Sequence, residues 1–407
     1  MIYISNLVSR RCRTSFRFAA ALISSSVLLF GASLALSGCA SSQKEQRYSW
    51  PLATASPEDT VTQLFAEKFA EEVHDLSNGA MRIQVYANST LGGDRDLLET
   101  CADGDIPFVV QNTAPQVSFM KDLAVFDLPC VFDSLDDCRK KLDDPDFYNL
   151  ISQVYTDGGY HLLGMADQGF RIMSTNKPVY SLADFKGQKI RTMENSYHLA
   201  FWKAIGANPT PMTFSEVYIG LQQHTIDAQE NPYEVIVSNR LYEQQDYVVE
   251  TNHLPHLISL IVNDDFFQNL TPEEQEIMTQ AAKTATEYAR EQSDARISNR
   301  IATIEASGTA ILTLSDETRD AIREAAGSVY ESIRENIDPE IYDAYMEPYP
   351  HLLLPSAKKV HTKFKSGYTG HLVSTSAFSH VSIIPRNFLS ALRTASRFTS
   401  SWHCASI

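Results

Sequence analysis

Apolar positions in residues 48–110 recur first with the period of a strand and then with that of a helix. The pattern predicts short strands at 48–53, 81–87 and 108–110. Between them it predicts a helix that begins at Ser56-Pro57 and stops at Asn78-Gly79, and a second helix through Leu97, Leu98 and Cys101. Strands that alternate with helices in this way are typical of a parallel α/β lobe.

Further along the chain, the pattern predicts strands at 159–165, 170–175 and 188–192, the last two paired with each other. A helix opens at Thr213, and a capping-box-like start follows at Thr271 to Glu274. From there to about Ala306 the chain contains neither Pro nor Gly, which allows roughly 35 helical residues, about 50 Å long. Such a helix has to cross more than one lobe. A strand at 309–314 and an acid-rich helix at 315–337 complete the pattern.

The N-terminal segment is typical of an export signal. Four arginines precede an apolar stretch at 18–36, and small residues follow in Leu36-Ser37-Gly38-Cys39. The last four residues resemble the lipobox of bacterial lipoproteins, so we expect a signal peptide at 1–38, lipidation at Cys39 and a tether at 39–47. An uncleaved membrane anchor is the alternative, since the apolar stretch is nearly long enough to span a bilayer.

Charge is distributed very unevenly along the chain. The 34 Lys and Arg against 50 Asp and Glu give a net charge of −16. Because 1–38 carries +4 and 351–407 carries +7, residues 39–350 carry −27. An acidic body repels nucleic-acid phosphates, so we predict no nucleic-acid partner. Residues 350–407 are predicted to form a poorly ordered tail. Such a tail could be a frameshifted reading of the true end, and a basic membrane-contacting segment is the alternative.

Four cysteines remain beyond Cys39, and export permits disulfides. Cys130 and Cys138 lie eight residues apart, which allows two possibilities. Either they form a disulfide with each other, or the cysteines are free thiols. No CxxC or HExxH motif occurs, and we predict neither a metal site nor a cofactor.

A small group of polar residues in 165–256 suggests an anion site. Arg171 and Arg191 lie near the ends of predicted strands, and guanidinium forks match carboxylates. The alternative for each is a surface salt bridge. Asn231 can both donate to and accept from a ligand, although it could instead be a turn residue. His198, His253 and His256 lack an accompanying nucleophile motif, which favours a binding protein over an enzyme.

Longer segments resemble a known family. Residues 169–236, with KGQKIR, NPTPMTF and QENP, and residues 242–253 closely resemble the solute-binding subunit of TRAP-type (tripartite ATP-independent periplasmic) transporters, the DctP-like family. LGGDRDLLETCADGDIPFVV and AVFDLPCVF match as well. The resemblance covers about residues 48–346.

The resemblance implies a two-lobed α/β periplasmic binding protein fold, with one long helix spanning both lobes. We expect lobe I at 48–168 plus about 257–296, and lobe II at 169–256 plus about 297–348. By family position, Arg191 would pair with a ligand carboxylate, assisted by Arg171, Asn231 and Phe214. The matching first-lobe contacts are Ala53, Asp94 and Asn112. The implied partners are a small carboxylate ligand and the small and large membrane permease subunits.

Two positions depart from the family pattern. Glu194 stands where some sialic-acid binders have asparagine, and it would repel a second ligand carboxylate but accept hydrogen bonds from hydroxyls. This favours a sugar acid over a C4-dicarboxylate, unless Glu194 points away or pairs with Arg171. His224 replaces a common Gly or Asn and would alter a turn. The functional alternatives are a binding protein that feeds a signalling receptor, and an enzyme with a cryptic site in the cleft.

Overall fold

The computed structural model describes residues 48–347. The predicted signal peptide, tether, lipidation site at Cys39 and tail lie outside the described residues. Nine strands occur within 48–347: β1 Tyr48–Ala53, β2 Met81–Tyr86, β3 Phe108–Asn112, β4 Tyr160–Thr175, β5 Lys189–Thr192, β6 Asn208–Pro211, β7 Ala228–Asn231, β8 Tyr247–Asn263 and β9 Ala310–Thr313.

Twelve α-helices surround the strands in the same part of the chain. They are α1 Val61–Leu76, α2 Asp94–Ala102, α3 Leu135–Leu142, α4 Pro145–Asp157, α5 Ser196–Ala204, α6 Val217–Gln222, α7 Tyr233–Ser238, α8 Asp264–Gln268, α9 Pro272–Ala306, α10 Asp316–Ala325, α11 Gly327–Asn336 and α12 Pro339–Met346. Within these residues, no helix is both long and apolar enough to cross a membrane.

Two long antiparallel strands hold the sheet together. The strand order is β2-β1-β3-β8-β4-β7-β5-β6, and β9 also pairs with β8. The last part of β8 pairs with β3, whereas its first part pairs with β9, and β4 lies along its other edge. β4 and β8 therefore run from one set of short strands to the other. The parallel pairing of β1 with β2 and β3 confirms the predicted α/β lobe.

The long helix is confirmed. α9 has 35 residues, and Thr271 and Glu274 form the capping box that the sequence indicates. Four of its eight buried residues are alanines, and these lie in one hydrophobic cluster with Phe65 and Phe69 of α1. Gly164 of β4 faces this helix so closely that a Cβ there would clash with Thr286. Small residues on both elements thus bring the helix onto the sheet.

Several local predictions are wrong, for identifiable reasons. α1 begins at Val61 rather than near Ser56, and Thr60 is its cap, because Asp59 adopts a left-handed conformation (φ 58°) that no helix contains. The acid-rich helix is split into α10 and α11 between Ala325 and Gly327. The strands predicted at 159–165 and 170–175 are one strand, β4, with irregular pairing along it.

The predicted pairing of 170–175 with 188–192 is also wrong. β7 lies between β4 and β5 and pairs with both. β8, which the periodicity does not reveal, is almost continuously buried, so it lacks a polar alternation. His224 adopts a left-handed conformation (φ 55°), which explains why glycine suits this turn.

Candidate functional site

A cavity opens where several strands end. Asn112 is the last residue of β3, Asn231 is the last of β7, and Arg191 lies one residue before the end of β5. Open α/β sheets present ligand sites at the carboxyl ends of their strands. The cavity has a volume of about 30 Å³ and is lined by Ala55, Ser56, Pro57, Asp94, Asn112, Arg191, Met193, Phe214, Asn231, Val235 and His256.

A second cavity of about 190 Å³ adjoins the first and shares Arg191 and Asp94 with it. Glu194 lines only this second cavity and is exposed. The two cavities together define the candidate site. They bring together six of the eight residues that the family resemblance singles out: Asp94, Asn112, Arg191, Glu194, Phe214 and Asn231.

Arg191 is a buried cation whose hydrogen bonds are incomplete. Its side chain is 2% exposed. Nε and Nη2 both donate to the carbonyl oxygen of Met212, at 2.9 and 2.6 Å, whereas buried Nη1 has no partner among the described residues. Burial lowers the pKa of Arg191 to about 10, so the guanidinium remains charged at neutral pH. A buried guanidinium with an unpaired edge is chemically suited to bind a carboxylate.

Arg171 is fully engaged with the protein instead. It is 1% exposed and lies in β4, from which its Nε donates to Glu230 Oε2 at 2.5 Å. Nη2 donates to Glu230 Oε1 at 2.8 Å and to Asn231 Oδ1 at 3.3 Å. The ion-pair partner of Arg171 is therefore Glu230, and Glu194 does not take that role. Arg171 does not line the cavity but orients residues that do.

His256 is one of the residues that Arg171 orients. Nδ1 of His256 lies 2.5 Å from Nη1 of Arg171. A guanidinium can only donate, so Nδ1 accepts and the imidazole proton is on Nε2. Burial, followed by the charge of Arg171, keeps the pKa of His256 well below its usual value. His256 is therefore a neutral cavity residue whose donor is its Nε2–H group.

The other two histidines complete a buried network behind the cavity. His253 Nε2 lies 3.2 Å from Glu230 Oε2, and His198 Nε2 lies 3.0 Å from Asp127 Oδ1. Burial alone would lower the pKa of His198, but Asp127 and Glu230 raise it to about 9. Glu230 is fully buried, and its pKa is well below the usual range because Arg171 and the histidines outweigh the effect of burial.

Two asparagines present amides at the cavity wall. Asn112 Nδ2 donates to the carbonyl of Leu257 at 2.8 Å, and Asn231 Nδ2 donates to Gln229 Oε1 at 2.7 Å. The oxygens of both amides also accept hydrogen bonds, Asn112 from the amide of Ala114 and Asn231 from Arg171. Each NH₂ group has two hydrogens, so each retains one for a further acceptor. Their orientation is fixed by the protein.

Asp94 brings a carboxylate close to Arg191. It is the first residue of α2 and lines both cavities. Burial raises the pKa of Asp94 to about 6, Glu194 also raises it, and the two arginines lower it. At neutral pH the Asp94 carboxylate accepts hydrogen bonds, whereas the Arg191 guanidinium donates them.

The remaining two predicted residues differ in placement. Phe214 lines both cavities, and its ring centroid lies 5.8 Å from Cζ of Arg191, a cation–π distance. Ala53 is 1% exposed and belongs to the hydrophobic core, while Ala55 lies at the cavity wall.

The sequence did not point to Ser56, Pro57, Met193 or Val235 as cavity residues. No sequence signal marks them, because only the long-range arrangement of strands and loops brings them together. In the sequence, His256 suggests only a hydrolase histidine, without the nucleophile motif that should accompany it. The sequence separation between His256 and Arg171 does not indicate that they are in contact, because only the pairing of β4 with β8 brings them together. Cys101, Cys130 and Cys138 are free thiols, which settles the open question of a bridge between the last two.

Comparison with known proteins agrees with this architecture. Residues 52–336 match a family model described as bacterial extracellular solute-binding protein, family 7 (DctP). The ectoine/5-hydroxyectoine-binding periplasmic protein UehA of Ruegeria pomeroyi is 30% identical over 290 residues, which are 70% of this chain and 84% of that protein.

Solved structures show the same two-lobed fold. The sugar acid binding protein DctPAm of Advenella mimigardefordensis, in complex with galactonate, superposes with a TM-score of 0.72 at 27% identity, covering 75% of this chain and 99% of that chain. A TRAP periplasmic solute-binding protein of Sulfurospirillum deleyianum, with bound succinate, gives a TM-score of 0.70 at 28% identity, covering 74% and 99%. The predicted two-lobed α/β fold with its long helix is therefore confirmed. The chain belongs to the bacterial extracellular solute-binding proteins of family 7, the solute-binding proteins of TRAP transporters.

Proposed function

We propose that this protein binds a hydroxylated monocarboxylic acid, a sugar acid rather than a C4-dicarboxylate, and delivers it to TRAP membrane subunits. The observation that carries the proposal is the buried Nη1 of Arg191, which has no partner among the described residues. A buried donor left unpaired costs about 1–3 kcal/mol, and a ligand carboxylate would remove that cost. Membership of a solute-binding family argues against an enzyme.

The two carboxylates near Arg191 support the preference for a sugar acid. Asp94 lines both cavities and Glu194 lines the second. A second ligand carboxylate in this space would be repelled by both side chains, whereas hydroxyl groups would donate to them. The ligands named for the similar proteins include ectoine, galactonate and succinate, so family membership alone does not decide among these classes.

In this proposal the site residues have separate roles. Arg191 pairs with the carboxylate, and the retained N–H groups of Asn231 and Asn112 donate to ligand oxygens. Arg171 holds Asn231 and His256 in place, and Phe214 packs against the ligand. Ala53 supports the wall from the core below Ala55. Lobe I comprises 48–168 plus about 257–296, lobe II comprises 169–256 plus about 297–348, and the site lies between them.

The family is extracytoplasmic, and we further propose that lipidation at Cys39 ties the protein to the membrane surface. The support for this anchor is the sequence Leu36-Ser37-Gly38-Cys39 behind an apolar segment. A signalling role has no observation in its favour.

The test is calorimetric titration of the purified protein with D-galactonate, D-galacturonate, D-erythronate and succinate, with galactose as the uncharged control. We expect saturable binding of at least one sugar acid, weaker binding of succinate and none of galactose. Preferential binding of succinate would refute the sugar-acid preference. A lack of binding by all four acids would refute the proposed function.

A further inference from the structure

A partly buried ionic cluster lies next to the candidate site without belonging to it. Arg296 and Arg300 are four residues apart on α9, so their side chains project from the same face of the helix. Both are held between the same two carboxylates. One belongs to Asp59 in the loop before α1, and the other to Glu234 in α7.

Each arginine bridges both acids. Arg296 Nε donates to Glu234 Oε1 at 2.7 Å, and its Nη2 donates to Asp59 Oδ1 at 2.6 Å. Arg300 Nε donates to Glu234 Oε2 at 2.7 Å, and its Nη2 donates to Asp59 Oδ2 at 2.9 Å. The four charges therefore form a closed set joining three separate segments of the chain.

The backbone of Asp59 is held as firmly as its side chain. Its carbonyl oxygen accepts from Ser238 Oγ at 2.7 Å, from Arg300 Nη2 at 2.8 Å and from Arg296 Nη2 at 3.0 Å. Asp59 adopts a left-handed backbone conformation, in which its carbonyl oxygen accepts these three hydrogen bonds. That conformation costs a non-glycine residue free energy. The cluster offsets that cost, so the shape of the loop depends on it.

Two of the three joined segments, α7 and the loop before α1, contribute residues to the wall of the candidate site. Ser56 and Pro57 lie three and two residues before Asp59, respectively, and they line the first cavity. Val235, which follows Glu234 in α7, lines the same cavity. We propose that Asp59, Glu234, Arg296 and Arg300 are positioning residues. In this role they latch the 55–60 loop of lobe I onto α7 of lobe II and slow the release of the ligand. The inference rests on the proposed function, since it assigns a role to residues around the same cavity.

The charges in the latch are unequally exposed, which sets the size of the expected effects. The side chain of Glu234 is 5% exposed, while that of Asp59 is 64% exposed. Exposed ion pairs contribute little to global stability. Asp59→Asn should therefore leave the unfolding midpoint nearly unchanged while loosening the 55–60 loop. Glu234→Gln removes the charge of the buried carboxylate in the cluster and replaces it with a group of the same shape. Asp143→Asn is the matched control, because it removes the exposed partner of Arg290 on the same helix, away from the cavity.

Two measurements test the latch. Hydrogen–deuterium exchange of peptides covering 55–60 should speed up by about two- to fivefold in Asp59→Asn and Glu234→Gln, the range expected for partly exposed pairs. It should not change in Asp143→Asn. In stopped-flow binding of the tightest acid from the titration panel, the same two variants should dissociate about two- to fivefold faster, with association little changed.

The exchange and dissociation measurements test the latch and the proposed function separately. Exchange at 55–60 equal to wild type in both latch variants, or an equal effect of Asp143→Asn, would overturn the latch. If the wild-type protein binds no acid of the panel, the proposed function fails, and the exchange arm still decides whether the cluster holds the loop. Faster exchange with unchanged dissociation would refute the positioning role.

Discussion

Replacing Arg191 with alanine should abolish high-affinity binding while sparing the folded protein. Of the five N–H groups of a guanidinium, two are committed to the carbonyl of Met212, which leaves three for a ligand. Loss of one partner from a buried, hydrogen-bonded charge pair costs about 2–5 kcal/mol. Since 1.4 kcal/mol is a factor of ten, the dissociation constant should rise by roughly 30- to 4,000-fold.

The stability of the ligand-free protein separates this role from a structural one. The Arg191→Ala change removes a buried charge and an unpaired N–H, which is favourable, but also the two hydrogen bonds to Met212, which is not. The two contributions are each about 1–3 kcal/mol and largely cancel. The free energy of unfolding should therefore change by about 1 kcal/mol or less.

The assay is calorimetric titration of wild type, Arg191→Ala and Arg191→Lys with the tightest sugar acid, alongside urea unfolding without ligand. Lysine keeps the charge but lacks the fork, so it should give an intermediate affinity. An Arg191→Ala protein that binds within about twofold of wild type would refute the reasoning. A protein that loses binding only because it unfolds would refute it as well.

Three further predictions follow from other parts of the structure. Arg171→Ala should lower the free energy of unfolding by about 3–5 kcal/mol in urea titrations, because it strands the buried charge of Glu230; a loss below 1 kcal/mol would contradict the network. Because the folded pKa of Asp94 is raised to about 6 from 3.8, its ionisation opposes folding above that pH, and the penalty fades as pH falls through 6 towards 4. Asp94→Asn should therefore stabilise the ligand-free protein at pH 7 but not at pH 4, and parallel stability–pH curves for the two proteins would disprove this. Cys39→Ser should shift the protein from the membrane fraction to the soluble extract of cells, and an unchanged membrane fraction on immunoblots would argue against the anchor.

The sequence by itself determined the features whose interactions are local. The 35 residues of α9 follow from a capping box at Thr271 and the lack of Pro and Gly up to Ala306, since helix hydrogen bonds join residues four apart. The parallel strands β1 to β3 could also be predicted from the sequence, because they alternate with amphipathic helices. Even Asn231 and Phe214, named from motifs, do line the cavity.

Which charges neutralise each other depends on the order of the strands in the folded sheet. By spacing alone, Arg171 and Arg191 are two arginines near the ends of strands expected to pair, and only the family resemblance assigns the ligand carboxylate to Arg191. The insertion of β7 between those strands brings Glu230, 59 residues away along the chain, against Arg171 and leaves Arg191 with no carboxylate in contact among the described residues. Strand order depends on burial summed over the whole sheet, which no local pattern encodes, and it makes one arginine part of the framework and the other available to a ligand.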